Sequence, residues 1–320
     1  MKVLIGGNSI GLEQAIPDLQ TKYPDIEFVH CPSRDETADW IGDVDIYLGW
    51  WDRGAFLAAK QLKWIQSPST GVNYFLAIPE LAKSDVLLTS ASGTHGPGLA
   101  ESVLGMIFAF TRGIRDAIFG QQQHEWAIRH IRPKLVELTG STMGIIGFGN
   151  LGRSLAKRAQ AFDVRIIATD VFPTHKPDYV AELWGPDRLD DLLRQSDYVV
   201  VTVPYTPETD GMIGAKQLAL IKPGAMLIGI SRGGIIDQSA LAEALRQNRL
   251  AAAAIDVCKP EPLPADSELW DLENLLITPH AAGGTQFEKE RVLEIFYENL
   301  ERYLTGKLPL RNQVDKQLGF

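Results

Sequence analysis

Arg232, Glu261 and His280 each follow a short apolar run of the kind that forms a buried strand. Ala225–Ile230 leads into Ser231-Arg232-Gly233-Gly234, Ala252–Val257 into Cys258-Lys259-Pro260-Glu261-Pro262, and Leu275–Ile277 into Thr278-Pro279-His280. The three residue types make a working set. A guanidinium can hold a carboxylate in a two-pronged grip and polarise the carbonyl beside it. An imidazole gives or takes a hydroxyl proton near neutral pH. A carboxylate beside the imidazole fixes its tautomer and favours its charged form. This is chemistry for hydride transfer at an acid's 2-position, which needs no protein nucleophile, and no convincing serine or cysteine triad is apparent.

A fourth segment supplies a place for the hydride carrier. Gly144–Gly147 runs into Gly147-Phe148-Gly149-Asn150-Leu151-Gly152 and then directly into a helical pattern. In a chain with 29 glycines such spacing can arise by chance, so its context carries the weight. The first glycine permits a tight turn, and the second lets the backbone approach a pyrophosphate. The third lets helix and strand pack closely, and the helix N-terminus contributes positive partial charge. Asp170, ending the next strand, stands where an acid accepts hydrogen bonds from ribose hydroxyls. A carboxylate there repels a 2′-phosphate, and no arginine follows in Val171-Phe172-Pro173-Thr174. NAD is the expected cofactor, with NADH preferred over NADPH.

These residues need a scaffold, and β-branched runs alternate with helical patterns almost from end to end, as in parallel α/β architectures. Early strand candidates are Val3–Gly6, Glu27–His30, Ile46–Leu48, Trp64–Gln66 and Val86–Leu88, and one long apolar helix is predicted from Leu99 to Phe119. A second series begins at Met143, with strands Gly144–Gly147, Arg165–Thr169, Tyr198–Val203, Ala225–Ile230, Ala252–Val257 and Leu275–Ile277. Ligands of open α/β sheets bind outside the carboxyl ends of strands, so Arg232, Glu261 and His280 are expected to converge.

At 320 residues two domains are expected. The net charge of -9 disfavours nucleic acid, which needs a basic face. Two cysteines, Cys31 and Cys258, fit a reducing compartment and make neither a disulfide framework nor a Cys-rich zinc site. The N-terminus is too short and Gly-rich for a signal peptide, and Leu99–Phe110 falls short of a membrane span. A cytoplasmic location, with no membrane partner and no metal, is expected.

The sequence resembles the D-isomer-specific 2-hydroxyacid dehydrogenases over nearly its whole length. The resemblance lies in Gly147–Gly152, Thr206-Pro207-Glu208-Thr209, Leu220-Ile221-Lys222-Pro223-Gly224, Ser231–Asp237, Glu261-Pro262-Leu263 and Thr278-Pro279-His280. It implies two doubly wound lobes: a Rossmann NAD-binding domain, 99–284, inserted in a discontinuous flavodoxin-like substrate domain, 1–98 and 285–320. Arg232 would bind a small 2-hydroxy or 2-oxo acid, and Glu261 with His280 would form the acid–base pair. Asp256 would contact the nicotinamide side. Pro204, Thr209, Ile230, Ser231 and Gly283 would join the glycine loop around the cofactor, and backbone amides at Thr70, Gly71 and Val72 would hold the substrate carboxylate. Ala100-Glu101 would lie in an interlobe helix, and Gln122–Trp126 in an arm used for homodimer contact.

The sequence departs from the family in places. Gly229 stands where the family often has Asn, which should loosen a backbone hydrogen bond, and Asn73 replaces a common Asp. Glu261, where the formate dehydrogenase branch has Gln, argues against formate. No regulatory domain is expected after the last helix, which disfavours the large phosphoglycerate dehydrogenases but not their short relatives. Glyoxylate, hydroxypyruvate, pyruvate and bulkier 2-oxo acids all satisfy the same chemistry. Other roles stay open: Trp50 and Trp51 as pocket wall or packing, Arg53 as reader of a second acidic group or a solvated loop residue, and His95 as substrate contact or structural residue. The alternative function is an NAD(H)-sensing corepressor-type binding protein of the same fold.

Overall fold

The computed structural model of the chain describes residues 1–8, 10–50 and 52–320. It divides into two compact units, residues 1–95 with 285–320, and residues 96–284.

In the first unit five strands, β1 (Lys2–Ile5), β2 (Glu27–His30), β3 (Ile46–Leu48), β4 (Trp64–Gln66) and β5 (Leu87–Thr89), pair in parallel. Their order is β2-β1-β3-β4-β5, the flavodoxin-like arrangement. β3 and β4 are buried at every residue. Helices cover both faces, so these strands read as unbroken apolar runs and not as alternating ones. Val3, Ile5, Ile46 and Trp64 meet Leu12 and Leu19 from one side and Val292, Phe296 and Leu300 from the C-terminal helix Glu288–Leu304. Leu4, Tyr47, Ile65 and Leu88 face the opposite cluster with Ile41, Phe75 and Leu81. Residues after 285 thus complete this unit's core. Buried Asn299 fastens them: its amide donates to Gln66 Oε1 (3.1 Å) and Arg311 O (2.9 Å), and its carbonyl accepts from Arg311 N (2.6 Å).

The second unit holds seven parallel strands, β6 (Thr142–Ile146), β7 (Arg165–Thr169), β8 (Glu182–Trp184), β9 (Tyr198–Val201), β10 (Met226–Gly229), β11 (Ala252–Ile255) and β12 (Leu275–Ile277). They run β12-β11-β10-β9-β6-β7-β8. Winding reverses beside β6, which places a ligand crevice outside its carboxyl end. The strand ends there carry the glycine loop.

Three details depart from the sequence expectations. The helix predicted over Leu99–Phe119 is two helices, Gly96–Thr111 and Ile114–Gln122. They part at Gly113, which takes a left-handed φ of 63° and lies so near Ile131 that a Cβ would come within 2.4 Å of its Cγ2. Strand β8 was not anticipated. The second unit begins at Gly96 and not at 99, because the first helix starts there and packs at Ser154, 3.4 Å from a Cβ built on Gly96. No helix among the described residues is long and apolar enough to cross a membrane.

Candidate active site

The glycine loop follows β6 and shows why each position is glycine. Gly147 has φ 95°, and a Cβ on it would meet Val203 N at 2.9 Å. A Cβ on Gly152 would come 2.4 Å from Gly147 O, so close packing of helix and loop requires its absence. Gly149 differs: nothing among the described residues lies within 4 Å of a Cβ built there. Its open face is a cradle that a phosphate can approach. Helix Asn150–Ala159 begins at once, with Leu151 packed inward and with Gly149, which has no side chain to cap it, at its N-terminus, so the positive end of the helix dipole faces the glycine loop, where an anion is favoured.

Asp170 ends β7 and reaches back to this loop. Phe148 N donates to its Oδ2 (2.6 Å) and Phe172 N to its Oδ1 (2.8 Å). Sequence reasoning missed a nearby arginine: Arg153 donates to Thr174 O and His175 O, both at 2.8 Å, and lies over the Phe148 ring. Its partners lie 21 and 22 residues further on, in the loop after β7, so no local spacing pointed to it. Across the crevice, the Thr209 hydroxyl donates to Pro204 O and accepts from Thr206 N, both at 2.8 Å, so it shapes the turn after β9.

The three polar residues singled out in the sequence all follow strands of the second unit, as expected. Glu261 Oε2 lies 2.8 Å from His280 Nδ1, and Glu261 Oε1 accepts from Cys258 N at 3.0 Å. The carboxylate is fixed by the backbone and accepts a hydrogen bond from Nδ1–H of the ring, while Nε2 has no protein partner among the described residues. Ile230 is buried at the end of β10 and leads through Ser231 to Arg232, whose Nη1 donates to Ser231 O at 2.7 Å. The next residue explains the loop's closeness to Glu261: a Cβ on Gly233 would lie 1.8 Å from Cys258 O. Only glycine lets the Arg232 and Glu261 loops touch. Gln238 braces them, accepting from Lys259 N (2.6 Å) and donating to Lys259 O (3.2 Å).

His280 has φ 52°, a left-handed conformation that a non-glycine residue holds only when its surroundings impose it. Asp256 imposes it. His280 N donates to Asp256 O at 2.8 Å. The buried Asp256 carboxylate accepts from Thr278 Oγ1 (2.5 Å), Ala281 N (3.0 Å) and Ala282 N (3.1 Å), the last beside Gly283. Gly229, in place of the family's Asn, is filled from elsewhere: a Cβ there would meet Ile236 Cδ1 at 2.7 Å.

In the first unit, Thr70, Gly71 and Val72 follow β4, and no acceptor for their three backbone N–H groups is found among the described residues. Arg53 is held by both oxygens of Glu80, and this guanidinium keeps the Glu80 carboxyl down at about 2. Its charge is matched within the chain. The Trp50 ring stacks on Tyr74, 5.9 Å between centroids, and Tyr47 donates to Trp50 O at 2.5 Å. Trp51 lies outside the described residues.

Residues 104–282 match the family model for the D-isomer specific 2-hydroxyacid dehydrogenase NAD binding domain. The chain is 34% identical over 286 residues to a glyoxylate reductase of Thermofilum pendens, spanning 87% of this chain and 84% of that one. It is 32% identical over 303 residues to a D-3-phosphoglycerate dehydrogenase of Methanocaldococcus jannaschii, spanning 92% of this chain but only 56% of that enzyme. Among solved structures it is similar to a D-isomer specific 2-hydroxyacid dehydrogenase from Xanthobacter autotrophicus in complex with NADPH (28% identity, TM-score 0.84, 99% of each chain). It is also similar to an NADPH-dependent glyoxylate/hydroxypyruvate reductase from Sinorhizobium meliloti in complex with NADP (26%, TM-score 0.84, 100% of each).

Proposed function

Because the chain belongs to the D-isomer specific 2-hydroxyacid dehydrogenase family, we propose that this oxidoreductase reduces a small 2-oxo acid of the glyoxylate or hydroxypyruvate kind, and reversibly oxidises the D-2-hydroxy acid. The observation that carries the reading is the 2.8 Å contact of Glu261 with His280 beside the Arg232 loop.

A bound nicotinamide supplies the hydride. The residues Gly147, Gly149, Asn150, Leu151, Gly152 and Asp170 would hold that cofactor, and the open face of Gly149 and the helix start beside it suit its pyrophosphate. Pro204, Thr209, Ile230, Ser231, Asp256 and Gly283 complete our proposed cofactor set. Arg232 grips the substrate carboxylate and draws electron density from the adjacent carbonyl. His280 Nε2 gives the carbonyl oxygen its proton, while Glu261 stabilises the ring by holding Nδ1–H. The N–H groups of Thr70, Gly71 and Val72 are our second hold on the carboxylate.

NADH is proposed as the preferred cofactor. Asp170 would repel a 2′-phosphate, and Arg153 is committed to the Thr174 and His175 carbonyls. Oxidation of NADH and NADPH across a panel of 2-oxo acids tests both points. Turnover favouring NADH is expected. Tight NADH binding with no turnover would favour a nicotinamide-sensing binding protein instead.

A homodimer is also proposed. Helix Ile114–Gln122, the turn after it and the short helix Ile128–Ile131 expose Ile118, Phe119, Ile128 and Trp126, the last 90% exposed, an apolar set that a second copy would cover. Light scattering should give twice the chain mass, and a monomer mass would end this proposal.

A further inference from the structure

The first unit carries a second imidazole–carboxylate pair that the chemistry above does not use. His95 Nε2 lies 3.2 Å from Glu288 Oε1, and its Nδ1 lies 2.9 Å from Thr70 Oγ1 and 2.8 Å from Thr94 Oγ1. Only 14% of the His95 side chain is exposed. Glu288 opens the C-terminal helix, and one turn further on Arg291 donates to Thr94 O at 2.7 Å. The helix therefore reaches the loop after β5 through two side chains.

The proton positions follow from the partners. A carboxylate only accepts, so Nε2 of the neutral ring carries the hydrogen and Nδ1 accepts. Thr94 has a good acceptor elsewhere, Ala91 O at 2.8 Å, whereas Thr70 lies 3.4 Å from that same carbonyl. Nδ1 therefore takes the Thr70 proton. The residue before, Ser69, is fixed through its carbonyl by Ala91 N at 2.9 Å. Thr70 itself is exposed and opens the run of three N–H groups without an acceptor among the described residues. Among the described residues its side chain has one short tether, and that tether is His95.

We propose that His95, held by Glu288, is a positioning residue for the Thr70–Val72 loop, fixing its N–H groups for the substrate carboxylate. This rests on the carboxylate role proposed above for that loop. Neither His95 nor Glu288 need touch the reacting atoms. Their effect is to reduce what the loop must give up in freedom when the acid binds.

The test compares Glu288→Ala with Glu288→Gln. Glutamine keeps an oxygen acceptor for Nε2–H, whereas alanine removes it. Amide hydrogen exchange over residues 68–73 reads the loop directly, without turnover. Steady-state kinetics with the best 2-oxo acid reads the consequence, and thermal unfolding checks that the fold is kept. For Glu288→Ala we expect loop exchange and KM each to rise roughly tenfold, the worth of one such hydrogen bond, with kcat falling less than threefold. Glu288→Gln should stay near wild type in both. Unchanged exchange in Glu288→Ala overturns the inference, as does faster exchange with unchanged KM, or a glutamine variant no better than alanine. If the wild-type protein reduces no 2-oxo acid, the carboxylate reading falls, and the exchange result alone still decides whether His95 holds the loop.

Discussion

Gly233→Ala is a severe test of how the Arg232 and Glu261 loops are held. Gly233 has no left-handed φ, so alanine is acceptable to the backbone and the effect is purely one of space. The added Cβ would stand 1.8 Å from Cys258 O, and ordinary contact begins near 3.4 Å. The two loops must therefore part by about 1.6 Å, the difference between those values. Cys258 N holds Glu261 Oε1, and Arg232 precedes Gly233 directly, so the parting separates the guanidinium from the acid–base pair. A misplacement of about 1 Å can cost roughly 10²-fold in rate. Overpacking of this kind costs about 1–3 kcal/mol in stability. We expect kcat/KM for the 2-oxo acid to fall about 10²-fold or more while NADH binding, measured by fluorescence titration, changes little. Gly105→Ala is the control, since nothing among the described residues lies within 4 Å of a Cβ there, and it should leave activity intact. Gly233→Ala with activity within a few-fold of wild type would refute the idea that this contact sets the spacing.

Other perturbations follow from the same structure. Asp256→Asn keeps the side chain's size but replaces one acceptor oxygen with a donor, facing Ala282 N. It should lower kcat at least tenfold by releasing His280 from its left-handed conformation, and a normal kcat would separate Asp256 from His280 geometry. Burial, and then the Glu261 charge, push the Cys258 thiol up, so less thiolate is present at pH 8 than for a free cysteine. Alkylation there should be slow and should quicken in Glu261→Gln, as read by peptide mass spectrometry; no difference between the two would discount the charge. Burial alone would raise Asp45, but hydrogen bonds from Lys63 Nζ and Lys2 N, both 2.9 Å, bring it below its ordinary value. A carboxyl lowered in the folded state stabilises above its unfolded pKa of about 4, and that stability is lost as pH falls through the folded value. Asp45→Asn should therefore lower the unfolding midpoint at pH 7, and its gap from wild type should shrink as the pH falls below the unfolded value of about 4, whereas a constant gap would contradict the linkage.

Much of this was legible in the sequence because the informative residues sit at strand ends. Buried parallel strands announce themselves as short apolar runs, so Glu27–His30, Ile46–Leu48, Arg165–Thr169 and Leu275–Ile277 match the structure residue for residue. The residues after β10, β11 and β12 could then be expected on one edge, where Glu261 and His280 do meet. β8 escaped because it is a half-buried edge strand of only three residues, Glu182-Leu183-Trp184, too short to show a strand period. The break at Gly113 was hidden by apolar residues that continue the helical pattern on both sides. Arg153 and Glu288 escaped for another reason. Their partners are 21 and 193 residues away, and the contacts are made by folding of loops that no local pattern fixes. Asp256 was singled out in the sequence, but its hold on three groups of the His280 loop was hidden for the same reason.

The central claim is that His280, held by Glu261, moves the proton that accompanies hydride transfer. The most direct measurement is kcat of His280→Ala with the best 2-oxo acid and NADH, followed by loss of reduced-nicotinamide absorbance, with NADH affinity measured alongside. The account predicts a kcat lower by roughly 10²–10⁴ with NADH affinity preserved. A variant turning over within a few-fold of wild type would contradict it.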